Sequence, residues 1–176
     1  MIVTISETMR QLSLFIIIVL ISMAVPMSGC IGAGSPSEER NALYVKEFTD
    51  ATTCFDGANS HYQQGLNYYN RKGYNDAARE MRQAMQGYDE ARKGYDRMLS
   101  YADTDDRKKY ATALKLEAEN CVYASSAFCD AYAAFASNEI TKGNTHMNNA
   151  NQYMAQAKKN YDIALAYEGM AIGDSR

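Results

Sequence analysis

The sequence predicts an all-α protein, and three observations lead to this prediction. The only prolines are Pro26 and Pro36, so about 140 residues follow without the residue that most strongly interrupts helices. Good helix formers such as Ala, Met, Gln, Glu, Lys and Arg are abundant, while Val and Ile are scarce outside the N-terminal segment. Apolar residues also recur at alternating steps of three and four, which is the period of one helix face.

The N-terminal segment has the layout of a secretory signal. Residues 12–25, LSLFIIIVLISMAV, are apolar and follow a short stretch that carries Arg10. This run meets Pro26 before it reaches the roughly 20 apolar residues of a membrane-spanning helix. An uncleaved single-pass anchor is the alternative interpretation. Translation can start at Met1 or at Met9, since MRQLSLF also opens such a signal.

The residues after the apolar run carry a resemblance to a known class of proteins. Met27, Ser28, Gly29 and Cys30 resemble the lipobox of prokaryotic surface lipoproteins, and the following IGAGS is similar to archaeal examples. The resemblance implies a signal peptide over residues 1–29, cleavage after Gly29 and a diacylglyceryl group on Cys30. Residues 30–34 are then the lipidated cysteine and a flexible tether. The implied location is extracytoplasmic, with the protein anchored to the cell membrane by its N-terminal lipid.

The first predicted hairpin spans residues 35–101. Ser35 can cap its first helix, Pro36 fits the first helical position, and Glu38 completes a capping box. The apolar stripe of this helix comprises Tyr44, Phe48, Ala51, Phe55, Ala58, Tyr62, Gly65 and Tyr69. The stripe of the second helix comprises Tyr74, Ala77, Met81, Ala84, Tyr88, Ala91, Tyr95, Met98 and Ala102. The turn NRKG at 70–73 folds one helix back on the other.

The second predicted hairpin spans residues 104–168 and repeats the first at an offset of 73 residues. The matches are Asn75, Ala77, Met81, Gln83, Ala84, Tyr88, Asp89 and Ala91 with Asn148, Ala150, Met154, Gln156, Ala157, Tyr161, Asp162 and Ala164. We expect its first helix to begin near Thr104 and its turn to be TKGN at 141–144. Residues 35–168 would then form one four-helix domain, and residues 169–176 a frayed tail.

Each hairpin also resembles an elongated tetratricopeptide-type repeat. The small and large positions of that pattern fall on Gly65, Tyr68, Tyr74, Ala77, Met81 and Ala84, and later on Met147, Ala150, Met154 and Ala157. The repeat unit is longer than the usual 34 residues, however. Two architectures therefore stay open, an up-down four-helix bundle and a tetratricopeptide-like array of two hairpins. The small number of hairpins favours the bundle.

No motif in the chain is typical of catalysis, metal binding or nucleic-acid binding. Neither His61 nor His146 follows a Glu at the spacing of di-iron bundles, and the chain has no haem-attachment or zinc motif. Eighteen basic against 21 acidic residues give a net charge of −3, so no basic face for nucleic acid is implied. We expect no catalytic residue, metal or cofactor, and hence a protein that is not an enzyme.

The cysteines allow a structural prediction. Without Cys30, three cysteines remain in an oxidising compartment, which suggests one disulfide and one spare thiol. At the repeat offset, Cys54 aligns with Ala127 and is therefore level with Cys129 if the first and third helices are parallel neighbours. The prediction is a Cys54–Cys129 disulfide with Cys121 free in the core. The alternative is three buried, reduced cysteines.

The tyrosines give the remaining hint about function. The chain has 14 tyrosines and no tryptophan, and about half of the tyrosines belong to the apolar stripes. Those off the stripes are candidates for contact with a partner: Tyr68, Tyr123, Tyr132, Tyr153 and Tyr167. The competing interpretation is that they widen the core against a third helix. Gly87 and Gly94, one heptad apart, could admit a close partner helix or could be neutral surface residues.

Two classes of function remain at this point. The first is a membrane-tethered helical adaptor or scaffold that binds a protein partner at the cell surface. The second is a solute-binding or sensory bundle that holds a small ligand between its helices. A long open groove would favour the adaptor, and a closed cavity with converging polar groups would favour the ligand-binding bundle.

Overall fold

The computed structural model describes residues 35–173, and these residues form four long helices without a strand. Helix α1 spans Pro36–Asn70, α2 spans Tyr74–Tyr101, α3 spans Asp105–Ala136 and α4 spans Ile140–Gly173. Turns of only three residues join α1 to α2, α2 to α3 and α3 to α4, so consecutive helices run up and down. The predicted all-α fold with two helical hairpins is confirmed. The predicted signal, lipobox and tether at residues 1–34 lie outside the described part of the chain.

The predicted helix starts are confirmed by their capping contacts. The Ser35 hydroxyl accepts a hydrogen bond from the Glu38 N–H, and the Glu38 carboxylate accepts one from the Ser35 N–H at 2.7 Å. The Thr104 hydroxyl accepts a hydrogen bond from the Arg107 N–H, and Asp105 and Asp106 occupy the first turn of α3. Both caps satisfy backbone donors that a helix start leaves without partners.

The first turn ends α1 at Asn70, as the NRKG motif predicts. Lys72 adopts a left-handed backbone with φ 61°, and the Gly73 N–H donates to the Tyr68 carbonyl oxygen at 2.9 Å. This pair of features is typical of the Schellman end of a helix.

The turn within the second hairpin lies at residues 137–139, so the predicted turn TKGN at 141–144 is wrong. Asn138 has the left-handed φ of 60° there, and the Glu139 N–H donates to the Ala134 carbonyl oxygen at 2.8 Å. Gly143 is instead inside α4, where an added Cβ would overlap the ring of Phe135. This glycine therefore allows close packing of α3 and α4, and it does not end a helix.

The two turns correct the repeat register. Lys72 and Asn138 play the same part in their turns and lie 66 positions apart, one heptad less than the offset of 73 that the residue matches suggest. A shift of one heptad leaves the apolar stripe on the same helix face, so the stripe alone cannot decide between the two registers. Backbone geometry at the turns decides it.

The helices pack in sequence order and leave one side of the domain open. Helix α2 packs along α1 and α3, and α4 packs along α3. The backbones of α1 and α3 approach each other at a few positions only, and aromatic side chains fill the space between these two helices. No Cα of α1 lies within 8 Å of a Cα of α4. A closed up-down bundle would pair its first and last helices. Residues 35–173 instead form an open arrangement of two hairpins.

Small residues bring α1 and α2 close together. An added Cβ on Gly94 would lie 2.7 Å from the Ala51 Cβ, and one on Gly87 would lie 3.0 Å from the Ala58 Cβ. The close partner helix of these two glycines is therefore α1 of the same chain. Large side chains fill the remaining core space, and Met81, Tyr88 and Met98 are completely buried.

Alanine at Gly94 should therefore destabilise the fold, although alanine is the better helix former. We expect Gly94→Ala to lower the free energy of unfolding by about 1–3 kcal/mol, because its Cβ forces α1 and α2 apart. Gly57→Ala is the matched control, since nothing lies within 4 Å of the added Cβ there and helix propensity should raise stability by up to about 1 kcal/mol. Urea denaturation of both variants checks the prediction. Equal effects at the two sites would show that α1 and α2 are not in close contact at Gly94.

Helix α4 continues past residue 168, where the sequence predicts a frayed tail. It runs to Gly173, and the side chain of Ala171 is completely buried. The Ala171 carbonyl oxygen accepts a hydrogen bond from the Arg107 Nε at 3.0 Å. A buried alanine and a side-chain partner for its carbonyl group hold this last part of α4 in helical form. Residues 174–176 lie outside the described part of the chain.

Candidate functional site

The exposed apolar surface of the described chain lies on the second hairpin. Seven large apolar side chains are exposed among residues 35–171, and all of them belong to α3 or α4. They are Leu116, Tyr123, Ile140, Tyr153, Ile163, Leu165 and Met170. Exposed apolar side chains gathered on one part of a surface commonly mark an interaction site. The first hairpin shows no such residue in its described part.

Two of the predicted partner-contacting tyrosines form a pair on this surface. Tyr123 of α3 is 48% exposed and Tyr153 of α4 is 39% exposed, and their ring centroids lie 5.4 Å apart. They meet because α3 and α4 are antiparallel, and the two residues lie at equal distances from the turn at residue 138. The Tyr123 hydroxyl donates to the Glu119 Oε1 at 3.2 Å, which holds the ring on the outer side of α3. We call Tyr123 and Tyr153 the tyrosine pair.

The other predicted tyrosines have different surroundings. Tyr132 is completely buried and stacks on Tyr69 of α1 at 5.0 Å, so its assignment as a partner contact is wrong. It widens the core against a third helix, which was the competing interpretation. Tyr68 is half-buried and packs beside Gly73 at the first turn. Tyr167 is half-buried on α4, with the Lys109 ammonium 5.0 Å above its ring.

A shallow groove runs between α3 and α4 on the side of Tyr167. It has a volume of about 340 Å³ and is open to solvent. Its lining residues are Lys108, Lys109, Thr112, Ala113, Leu116, Asn160, Ile163 and Tyr167. A second hollow of about 300 Å³, also open, lies beside the first turn and α2. Both are surface depressions of the described chain.

The predicted disulfide between Cys54 and Cys129 is not formed in the structure, where both are free thiols. Cys129 Sγ lies 3.4 Å from the Ala78 carbonyl oxygen, while the Cys54 carbonyl oxygen lies beside Gly87. Those two contacts are nine residues apart on α2, which is about 13 Å along the helix. A disulfide needs Cα atoms within about 7 Å of each other. The corrected repeat register has the same consequence, because it places Cys54 level with residue 120.

The free thiols also keep their protons at neutral pH. Burial raises the pKa of Cys129 to about 11, and burial and then the charge of Glu117 raise the pKa of Cys121 well above its usual value. Cys121 is buried in the core, as predicted. A protonated thiol is a weak nucleophile and a weak metal ligand.

Sequence reasoning missed an acidic side chain in the interior. Glu117 of α3 retains some exposed surface, yet protein surrounds it closely enough that burial raises the pKa of its carboxyl to about 8. The charge of Asp162 on α4 raises this pKa further. The Glu117 charge in turn contributes to the raised pKa of Tyr161, which is about 12 and is due first to burial. The signal was present in the sequence, since Glu117 falls in the apolar stripe of α3, which runs through Tyr110, Leu114, Cys121, Ala124 and Phe128.

The side chain of His61 forms a hydrogen-bond contact between α1 and α2. His61 Nδ1 of α1 lies 2.9 Å from the Glu80 Oε2 of α2, and Arg79 Nη2 lies 3.6 Å from the other Glu80 oxygen. Among the described residues, no group of three or more His, Cys, Asp or Glu side chains is placed to hold a metal ion.

Comparison with family models, with curated proteins and with solved structures finds no match to this chain. Among residues 35–173, no helix combines the length and the apolar character that crossing a bilayer requires.

Proposed function

We propose that this protein is a membrane-tethered, extracytoplasmic lipoprotein that acts as a protein-binding adaptor or scaffold at the cell surface. The observation that carries the proposal is the exposed tyrosine pair on the outer side of the second hairpin. The lipobox-like residues at 27–30 supply the tether in this proposal.

The tyrosine pair has the properties of an anchor point for a protein partner. Each ring offers a large apolar area at a low cost in side-chain entropy, and each hydroxyl can bond a polar group of the partner. The pair stands on two rigid helices, and the hydrogen bond to Glu119 orients one of its rings. Truncation of a tyrosine at the centre of an interface commonly costs about 2 kcal/mol or more of binding free energy, which is roughly a 30-fold loss of affinity.

The hollows of the domain also support an adaptor. A small ligand held between helices would favour an enclosed cavity with converging polar groups. The groove between α3 and α4 and the hollow beside the first turn are instead open to solvent. Open, extended surfaces are typical of helical-hairpin proteins that bind other proteins.

The proposal is tested by capture from native membranes with a paired set of variants. The tagged wild-type protein should retain a protein in a fixed ratio, and Tyr123→Ala combined with Tyr153→Ala should lose most of it. Leu165→Ala is the matched control, because Leu165 is exposed to a similar extent, 46%, on the other flank of α4. Circular dichroism of each variant shows whether its helices are intact. Retention of the same protein by the double variant would contradict the proposed anchor point.

A further inference from the structure

The half of the second hairpin that lies away from the turn at residue 138 carries a separate apolar patch. It consists of Leu116 on α3 with Ile163, Tyr167 and Met170 on α4, and we call it the tether-end patch. Leu116, Ile163 and Met170 are between 39% and 50% exposed. Leu116, Ile163 and Tyr167 line the groove between α3 and α4, and Met170 lies one heptad after Ile163 on the same face. The tyrosine pair lies further along the same side, toward the turn at residue 138.

This patch is at the end of the domain where the chain enters. Arg107 joins three helices there: its Nη2 donates to the Asn41 Oδ1 of α1 at 2.7 Å, and its Nε donates to the Ala171 carbonyl of α4. Asn41 is six residues into the domain from Ser35. The start of α1 and the end of α4 are therefore bridged by the Arg107 side chain, although no Cα atoms of the two helices lie within 8 Å of each other. Tyr167 is one helical turn from Ala171.

The tether keeps this end of the domain close to the membrane. Residues 30–34 can span at most about 17 Å between the acylated Cys30 and Ser35, even when fully extended. Arg107 places Asn41 level with Ala171, which is at the near end of the tether-end patch. Asn41 lies six residues along α1 from Ser35, so the patch begins about 10 Å from the level of Ser35. A bilayer surface is thus within reach of the patch whenever Cys30 is anchored.

We propose that the tether-end patch docks onto the surface of the lipid bilayer that holds the acyl anchor, and that it fixes the orientation of the domain there. This inference rests on the lipid anchor of the proposed function. Exposed aliphatic side chains can enter the region between headgroups and acyl chains, and tyrosine is favoured at that depth. Lys108 and Lys109 border the groove and can reach headgroup phosphates.

Apolar burial provides most of this docking. The charges of Lys108 and Lys109 are partly offset by Asp105 and Asp106, each at 3.6 Å. Docking should therefore occur on neutral as well as anionic lipid and should change little with salt.

The test uses the absence of tryptophan from the chain. Ile163→Trp is introduced into the complete protein, and Leu165→Trp is the matched control, because two residues along a helix turn the side chain by about 200°. The processed protein is purified and reconstituted into vesicles whose lipids carry brominated acyl chains. Tryptophan at residue 163 should lose most of its fluorescence and shift to the blue. Tryptophan at residue 165 should lose little.

The mass of the N-terminal peptide is measured on the same sample, so that failure of the anchor and failure of docking can be told apart. An acylated Cys30 with equal quenching at residues 163 and 165 would overturn docking while leaving the anchor intact. A Cys30 without acyl would refute the anchor. The Ile163→Trp chain from residue 30 onward is then titrated with vesicles, and a saturable blue shift supports docking while no shift overturns it. A blue shift that depends on protein concentration without lipid would assign the patch to a second copy of the chain.

Discussion

Replacing Arg107 by alanine is expected to lower the free energy of unfolding by about 2–4 kcal/mol, because it leaves neutral acceptors of the interior without a donor. The side chain is 5% exposed and bonds Asn41 of α1, the Ala171 carbonyl of α4 and Asp103 before α3. Its guanidinium also lies 4.7 Å from the ring centroid of Tyr44. Loss of the side chain leaves these polar groups without their hydrogen-bond partner. Among residues 35–173, Arg107 is the only residue of α3 whose side chain forms hydrogen bonds with both α1 and α4.

Two further variants show whether the geometry of Arg107 or its charge is responsible. Arg107→Lys keeps the charge but cannot reproduce the planar set of donors, so it should lose most of the same stability. Arg79→Ala should cost about 1 kcal/mol at most, because its ion pair with Asp76 is exposed and Glu80, its second partner at 3.6 Å, keeps its contact with His61. Urea denaturation gives the three values, and hydrogen exchange should show earlier opening of α4 after residue 164. A cost for Arg107→Ala as small as that for Arg79→Ala would refute the role of Arg107.

The second large effect concerns the dependence of stability on pH. Burial raises the pKa of Glu117 to about 8 in the folded state, from 4.5. The folded protein therefore keeps a proton that the unfolded chain releases above pH 4.5. Stability should be highest below that pH and should fall by up to about 1.4 kcal/mol per pH unit as the pH rises toward 8. Glu117→Gln removes the charge, so it should be more stable than the wild type at pH 8 and should lack this decline.

Unfolding by urea at intervals between pH 5 and pH 9 measures this difference. Glu90→Gln is the control for the loss of one carboxylate, since Glu90 is exposed on α2. A Glu117→Gln profile that runs parallel to the wild type across the range would show that Glu117 is well solvated and ionised in the folded protein.

Much of the helical framework could be predicted from local sequence. The caps at Ser35 and Thr104 and the turn at NRKG follow from local chemistry that does not depend on the rest of the fold. The turn between α3 and α4 could not be predicted in this way. Gly143 looks like a helix end, but its small size serves contact with Phe135, and Asn138 takes the left-handed position instead.

The apolar stripes do not determine the register between the two hairpins. Two offsets one heptad apart superpose the stripes equally well, and the residue matches favoured the longer one. The error moves α3 by seven residues, about 10 Å, relative to α1. With that shift Cys54 lies level with residue 120 and away from Cys129, and both cysteines are free thiols in the structure.

The two charged residues of the interior could be recognised as unusual from the sequence. Arg107 and Glu117 are charged residues within the apolar stripe of α3. Arg107 lies three residues after Thr104, and Glu117 lies ten residues after Arg107. A charge in such a stripe signals a buried polar contact or a perturbed pKa, but its partners lie on other helices. Their identity therefore required the tertiary structure. The same holds for Tyr132, whose burial depends on Tyr69 of a different helix.

The proposed adaptor function is tested most directly by photocrosslinking in native membranes. A photoreactive amino acid at residue 123 should give an adduct with a single protein, and the same probe at residue 165 should not give that adduct. Both positions are exposed to nearly the same extent, 48% and 46%, so solvent access does not distinguish them. The adaptor function requires one protein adduct that is specific to residue 123. No protein adduct there, or the same adducts at both residues, would contradict it.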